Sequence, residues 1–246
     1  MGRRKSNGPG LRESLAKRTA VGTFVKLPAL ESIEIVESAG FDFAIVDLEH
    51  SQLSEGDALR LIHHSHAMGF SAVARIAAND PGLVNRLLEA GATGIQLSTV
   101  VAAEQVRDLV RATRYAPAGR RSVSLAHPVA GYGATPLPEA VAAPPPLLVG
   151  QIETAETEDP LDQILAAGLD VAFVGVTDLT VELGFDADRV NARVDEVRKA
   201  ADVAGVALGA FVSEASQVPE GARYVAVSSD VSLLRLAAAR AVSDGR

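Results

Sequence analysis

The stretch Phe43–Ser54, FAIVDLEHSQLS, climbs through four apolar residues and then breaks into Asp47, Glu49 and His50. A short run that is apolar on both faces reads as a parallel strand covered by helices. Charged groups directly beyond it are costly to bury unless they are paired or hold a ligand. A buried strand that opens into polar residues at its carboxyl end is how an α/β barrel builds a site.

Outward from this stretch, the same unit repeats. Gly40, Gly69, Gly91, Gly168, Gly205 and Gly221 each close a helical segment and precede a short apolar run. Glycine suits the left-handed conformation just past a helix end, so these are helix stop signals. Ala20–Leu27 and Pro146–Glu153 bring the apolar runs to eight. The intervening segments carry apolar residues at helical spacing, and Asn79 or Asp80 with Pro81 marks one helix start. Eight strands alternating with helices in 246 residues predict a single-domain α/β fold, a (β/α)8 TIM barrel. A doubly wound open sheet is the alternative. The expected organisation is a flexible basic tail over residues 1–12, a barrel over 13–246 and a long loop at about 114–146, dense in Gly and Pro.

Composition limits the function. Apolar residues make up 48% and charged residues 22%, enough for a large core. The net charge of −8 argues against nucleic acid as a partner. No apolar run is long enough to span a membrane, so no membrane partner is expected. The absence of cysteine removes disulfides, thiolate nucleophiles and sulfur-ligated metals, and the expected setting is cytoplasmic.

Polar residues gather at the predicted strand ends: Lys26, then Asp47, Glu49 and His50, then Arg75, Gln96 and Ser98, Glu153, Thr177 and Asp178, and serines at the last two. Glu153 and Asp178 end successive strands and form a hard oxygen pair suited to Mg, Mn or Co. A surface glutamate and a helix cap are the plain reading of the same two residues. Asp47 and His50 are expected to form a dyad in which the carboxylate orients the imidazole as a general base, and a histidine capping the next helix is the plain reading of the same residue. Arg75, in an apolar strand, needs an anion, either a protein carboxylate or a substrate oxyanion. Lys26 suits a Schiff base or the neutralisation of nearby carboxylates, and the second role is the expected one. His63, His64 and His66 cluster on a helix and read as structural.

Several segments together resemble the HpcH/HpaI family of metal-dependent, class II pyruvate aldolases. They are AGFDFAIVDLEH, VARI, LLEAGATGIQL, RATRYAPAGRR, GQIET, VAFVGVTDLTVELG and YVAVSSD, in that order. The resemblance implies a TIM barrel, a divalent metal ion, a 2-keto acid and an aldehyde as small-molecule partners, and a homo-oligomer, trimer or hexamer. It implies Glu153 and Asp178 as metal ligands, His50 as the base oriented by Asp47, and Arg75 on the keto oxygen. It further implies Glu49 beside a metal-bound water and a carboxylate-binding loop at Thr177 and Asp178. The expected reaction is reversible cleavage of a 4-hydroxy-2-keto acid to pyruvate and an aldehyde through a stabilised enolate. Alternatives are a biosynthetic or decarboxylating variant of that chemistry, an acyl-CoA lyase of the citrate-lyase β type, and a non-catalytic binding barrel. His127 and Tyr132, in the long loop, are where specificity is expected to differ.

Overall fold

The structure, a computed structural model, describes residues 10–243. Eight parallel strands close in sequence order into a barrel. They are β1 (Ala20–Val25), β2 (Phe43–Asp47), β3 (Ser71–Ile76), β4 (Gly94–Leu97), β5 (Leu147–Ile152), β6 (Val171–Val174), β7 (Ala207–Val212) and β8 (Ala222–Ser229). The helices are α1 (Leu11–Lys17), α2 (Leu30–Ser38), α3 (Glu55–Met68), α4 (Pro81–Ala90), α5 (Ala103–Thr113), α6 (Leu137–Val141), α7 (Leu161–Ala166), α8 (Val176–Glu182), α9 (Ala187–Ala204) and α10 (Asp230–Ser243). The predicted TIM barrel is therefore the observed fold, with each expected strand in place.

Local chemistry explains the boundaries. At α3, Ser54 accepts from the Asp57 N–H while the Asp57 carboxylate accepts from the Ser54 N–H, a reciprocal cap. The helix stops at Gly69, whose φ of 74° is open to a residue without a side chain. Asp80, rather than Asn79, caps α4, accepting from the N–H groups of Gly82 and Leu83.

The tail expected over residues 1–12 lies outside the described residues as far as Pro9, and Leu11 and Arg12 already belong to α1. Leu11 and Leu15 are buried with the barrel interior, so α1 closes the amino-terminal mouth. Arg12 ties it down through both carboxylate oxygens of Asp170 and the Pro146 carbonyl. The long loop carries a 3-10 turn at Pro128–Gly133 and α6, and is pinned to α4 where Arg121 and Ser122 bond Asn85.

The sheet has two apolar sides. Its outer side packs against the helices, with Ala44, Val46, Ala74, Ile95, Leu148 and Ala172 facing them. Its inner side is filled by Phe24, Phe43, Ile45, Val73, Val149, Phe173 and Tyr224. Gly22 on β1 makes room for that filling: a Cβ there would stand 2.6 Å from Cζ of Phe43. Gly22→Ala is therefore expected to lower stability by about 1–3 kcal/mol through overpacking. Urea unfolding reads this directly, and an unchanged midpoint contradicts the packing argument.

Candidate active site

Going up the barrel, the inner side changes from apolar to polar at the carboxyl ends of the strands. Asp47 on β2 is in register with Arg75 on β3, and Arg75 with Gln96 on β4. All three are buried. Gln151 on β5 and Glu153 just beyond it are buried as well. The alternation of a strand turns every second side chain inward, so one step in register brings these groups into a single layer.

Asp47 and Arg75 form the centre of that layer. The guanidinium donates from Nε to Oδ1 (2.8 Å) and from Nη2 to Oδ2 (2.5 Å), a two-pronged pair. Lys26 Nζ lies 3.0 Å from Asp47 Oδ2 and donates to the His50 carbonyl at 2.9 Å. The backbone N–H groups of Glu49 and His50 donate to Asp47 Oδ1. Arg75 Nη1 approaches Glu49 Oε2 at 3.2 Å, and the guanidinium covers the Phe24 ring at 4.5 Å from its centroid. Ser98 Oγ donates to Glu49 Oε2 at 2.5 Å. Of the two anions open to Arg75 in the sequence, the structure supplies protein carboxylates.

The side-chain dyad expected between Asp47 and His50 is not formed. Asp47's oxygens are committed to Arg75, Lys26 and two N–H groups, and the last of these holds the His50 main chain rather than its ring. The imidazole is exposed, with Nε2 3.8 Å from Glu49 Oε2. Lys26 lies beside the buried carboxylate, as its neutralising role requires. Of the helical histidines, His64 pairs with Glu34 and His66 packs on Gly91, away from this layer.

Glu153 is held as firmly as Asp47. Its Oε1 accepts from the N–H and Oγ1 of Thr99, both at 2.7 Å, and its Oε2 from Gln151 Nε2 at 2.6 Å. The Gly175 N–H bonds the Ile152 carbonyl, which sets the ends of β5 and β6 side by side. A Cβ on Gly175 would stand 2.5 Å from Glu153 Cβ, so only glycine leaves this carboxylate its space. Asp178 stands in the first turn of α8, exposed, and its carboxylate has no hydrogen bond or ion pair among the described residues. That helix opens without a side-chain cap, so early N–H groups, at Thr177 and Asp178, remain open to an acceptor.

This donor set fits a hard divalent ion. Glu153 is held in place by three donors, Asp178 is uncommitted, and both offer carboxylate oxygens. Among the described residues there is no group of three or more His, Asp or Glu side chains able to hold an ion. A site with two protein ligands leaves the remaining positions to water and substrate, as magnesium-type ions prefer. Thr99, Gln151 and Tyr224 were not singled out from sequence. Gln151 and Tyr224 were legible only as polar atoms inside runs read as apolar strands.

A closed parallel barrel with carboxylates, an arginine and an exposed imidazole at its carboxyl rim has the form of the barrel enzymes, which carry their chemistry at that face. The chain belongs to the HpcH/HpaI aldolase/citrate lyase family, whose model matches residues 20–237. It is 30% identical over 241 residues to a hydroxypyruvate/pyruvate aldolase of Rhizorhabdus wittichii, covering 93% of this chain and 95% of the relative. It is 30% identical to a 4-hydroxy-2-oxo-heptane-1,7-dioate aldolase of Shigella sonnei, covering 91% of this chain and 89% of the relative. The crystal structure of an HpcH/HpaI aldolase from Desulfitobacterium hafniense superposes with a TM-score of 0.86 at 30% identity, covering 93% of each chain.

The buried pair has a measurable consequence. Burial alone pushes the Asp47 carboxyl up; the hydrogen bonds and charge of Arg75, the His50 N–H and Lys26 outweigh it and hold the pKa at about 2, below the ordinary 3.8. A carboxyl depressed in the folded state contributes stability in full above its unfolded pKa and loses it as pH falls through the folded value. The stability gap between wild type and Asp47→Asn is therefore expected to narrow by about 2 kcal/mol between pH 5 and pH 2. Urea unfolding at stepped pH measures it; a gap independent of pH contradicts the assignment.

Proposed function

We propose that this chain is a pyruvate-type aldolase that reversibly cleaves a 4-hydroxy-2-keto acid to pyruvate and an aldehyde. In this reading Glu153 and Asp178 hold a divalent metal ion, Mg, Mn or Co. The observation that carries it is a Glu153 fixed by three donors at the end of β5 and an uncommitted Asp178 in the helix that follows β6, on the same rim as an arginine locked by Asp47. The aldolase names of the similar proteins support the same reaction class.

The roles follow from the geometry. A divalent ion, when bound, supplies Lewis-acid polarisation of the keto acid. The open N–H groups at Thr177 and Asp178 suit a substrate carboxylate, because a helix start attracts anions. Arg75 directs a fixed positive charge at the oxygen on which enolate charge develops. Asp47 holds that guanidinium in one orientation, so little reorganisation is needed when the charge appears. Thus Asp47 acts through Arg75 instead of through the imidazole. His50 takes the proton from the C4 hydroxyl, and its exposure leaves it reachable from the mouth of the barrel. The C3–C4 electrons then pass to the keto group, releasing the aldehyde and leaving the pyruvate enolate. Glu49 stands between His50 and Arg75, with Oε2 3.8 Å from the imidazole Nε2 and 3.2 Å from the guanidinium. Lys26 balances the buried negative charge and serves as no Schiff base.

A homo-oligomer, trimer or hexamer, is part of the proposal. Its support is α10: from Val231 to Ser243 no residue is buried, and Leu233, Leu234, Leu236 and Val242 face outward. A last barrel helix without an apolar seat on its own sheet suits a neighbour. Val123, Val129, Tyr132 and Leu137 in the long loop add exposed apolar surface.

Three outcomes are expected. With Mg²⁺ or Mn²⁺ the protein exchanges pyruvate methyl protons with deuterated water, seen by NMR, and chelator or Arg75→Ala suppresses this. An absence of exchange and of aldol products across an aldehyde panel rejects the reading. Glu153→Gln and Asp178→Asn each weaken metal binding by at least about 10-fold, and His50→Ala slows aldol turnover by about 100-fold or more. Sedimentation velocity at micromolar concentration returns an assembly, and Leu234→Glu shifts it toward smaller species. A fully active monomer contradicts the oligomer.

A further inference from the structure

Behind Glu153 runs a line of buried hydrogen bonds that the proposed reaction does not use. Tyr224 on β8 donates from Oη to Gln96 Oε1 on β4 at 3.0 Å. Gln96 Nε2 donates to Gln151 Oε1 at 2.5 Å, and Gln151 Nε2 donates to Glu153 Oε2 at 2.6 Å. Tyr224 and Gln96 are completely buried and Gln151 nearly so. The line thus crosses the barrel interior, from one wall to the strands opposite, and ends on a carboxylate.

Its direction has one consistent solution. A carboxylate only accepts, so Gln151 must turn its NH2 toward Glu153. The Gln151 carbonyl then needs a donor, and Gln96 provides its NH2. The Gln96 carbonyl needs a donor in turn, and the Tyr224 hydroxyl is the one that reaches it. Each amide has a donor end and an acceptor end, so Tyr224, Gln96 and Gln151 form one polarised line that ends on Glu153.

Tyr224 is built to stay a donor in one place. Its ring stacks on Phe43 with centroids 4.5 Å apart and meets Phe173 edge-on at 6.0 Å. Phe43 in turn lies against Gly22. Burial pushes the phenol's pKa well up, and the Arg75 charge only partly offsets this, so the hydroxyl keeps its proton.

We infer that Tyr224 is a positioning residue for Glu153, acting through Gln96 and Gln151 to hold the carboxylate in its metal-accepting orientation. The inference rests on the reading of Glu153 as a metal ligand. Without the hydroxyl, the Gln96 carbonyl is buried unpaired, and Gln96 loses the bond that fixes where its NH2 meets Gln151. Gln151, no longer held from behind, then shifts with its NH2 still on Glu153 and carries the ligand out of place.

The test titrates Mn²⁺ into each protein, reading free Mn²⁺ by EPR, beside thermal unfolding without metal. The proteins are wild type, Glu153→Gln, Tyr224→Phe, Gln96→Leu, the double variant Tyr224→Phe/Gln96→Leu, and Phe173→Leu. Phe173→Leu loosens the same aromatic cluster on its edge-on side, keeps the closer Phe43 stack that seats the Tyr224 ring, and touches none of the hydrogen bonds. Tyr224→Phe and Gln96→Leu are each expected to weaken Mn²⁺ binding about 10-fold, and the double variant no further than the weaker single, because the groups act in series. Phe173→Leu is expected to melt earlier and bind Mn²⁺ as wild type does. Unchanged affinity in Tyr224→Phe overturns the inference, as does an equal loss in Phe173→Leu, which would assign the effect to packing. Tight binding retained by Glu153→Gln instead removes the ligand reading, and the inference with it.

Discussion

The Asp47–Arg75 ion pair is the constraint around which the upper barrel is arranged. Both side chains are buried, and two charges taken out of water recover their desolvation only with good geometry and further hydrogen bonds. The structure supplies these from every side: two N–H groups and Lys26 for the aspartate, Glu49 and the Phe24 face for the arginine. The pair also spans β2 and β3 at one register position, so a slip of either strand by one residue would bury one charge against the helices without the other. The barrel register and the candidate site are therefore set by the same contact. A purely apolar layer at this height would be the more economical way to fill a barrel, and its replacement by a charged one marks this face as the working end.

The two ends of the barrel are finished differently. At the amino-terminal mouth α1 inserts Leu11 and Leu15 into the inner core, and the Arg12–Asp170 pair fastens it from outside. The aromatic group of Phe24, Phe43, Phe173 and Tyr224 fills the middle. Asp230 completes the upper end by accepting from the Lys26 and Leu27 N–H groups, joining the start of α10 to the chain that leaves β1. The polar layer thus rests on a floor that cannot collapse, which is what a pre-aimed set of charges needs.

How much of this was legible in the sequence depends on the range of the interaction. The strands and their polar ends were readable because glycine stops and apolar runs are local signals: Gly69 and Gly205 close helices with positive φ as expected. The Asp47–His50 dyad was not, because three residues of separation suggested contact while the turn after β2 points the aspartate inward and the imidazole out. Asp47's real partner is 28 residues away and follows from strand register, which no single run of sequence contains. Leu11 and Leu15, four apart, carried a helical signal that the adjoining basic, Gly-rich segment obscured. Tyr224 was hidden in another way: it counts as apolar in a strand pattern, and only a partner 128 residues distant makes its hydroxyl matter.

The two carboxylates proposed as metal ligands are unlike each other, and the difference has a mechanical sense. Glu153 is buried with three donors on it, whereas Asp178 is exposed and unbonded among the described residues. Two rigid, buried carboxylates would repel without a cation and make the empty site costly to fold. Two loose ones would have to be ordered with each binding event. One fixed and one free would divide the requirement: in the proposed site Glu153 would set the position and Asp178, exposed on the short α8, would supply the second carboxylate. The fixed member draws its anchors from the Thr99 backbone and hydroxyl, just past the end of β4, and from the amide of Gln151 inside β5. A carboxylate that serves as the reference for a site is in this way supported by the barrel wall and the turn that leaves β4, and not by the element that bears its partner.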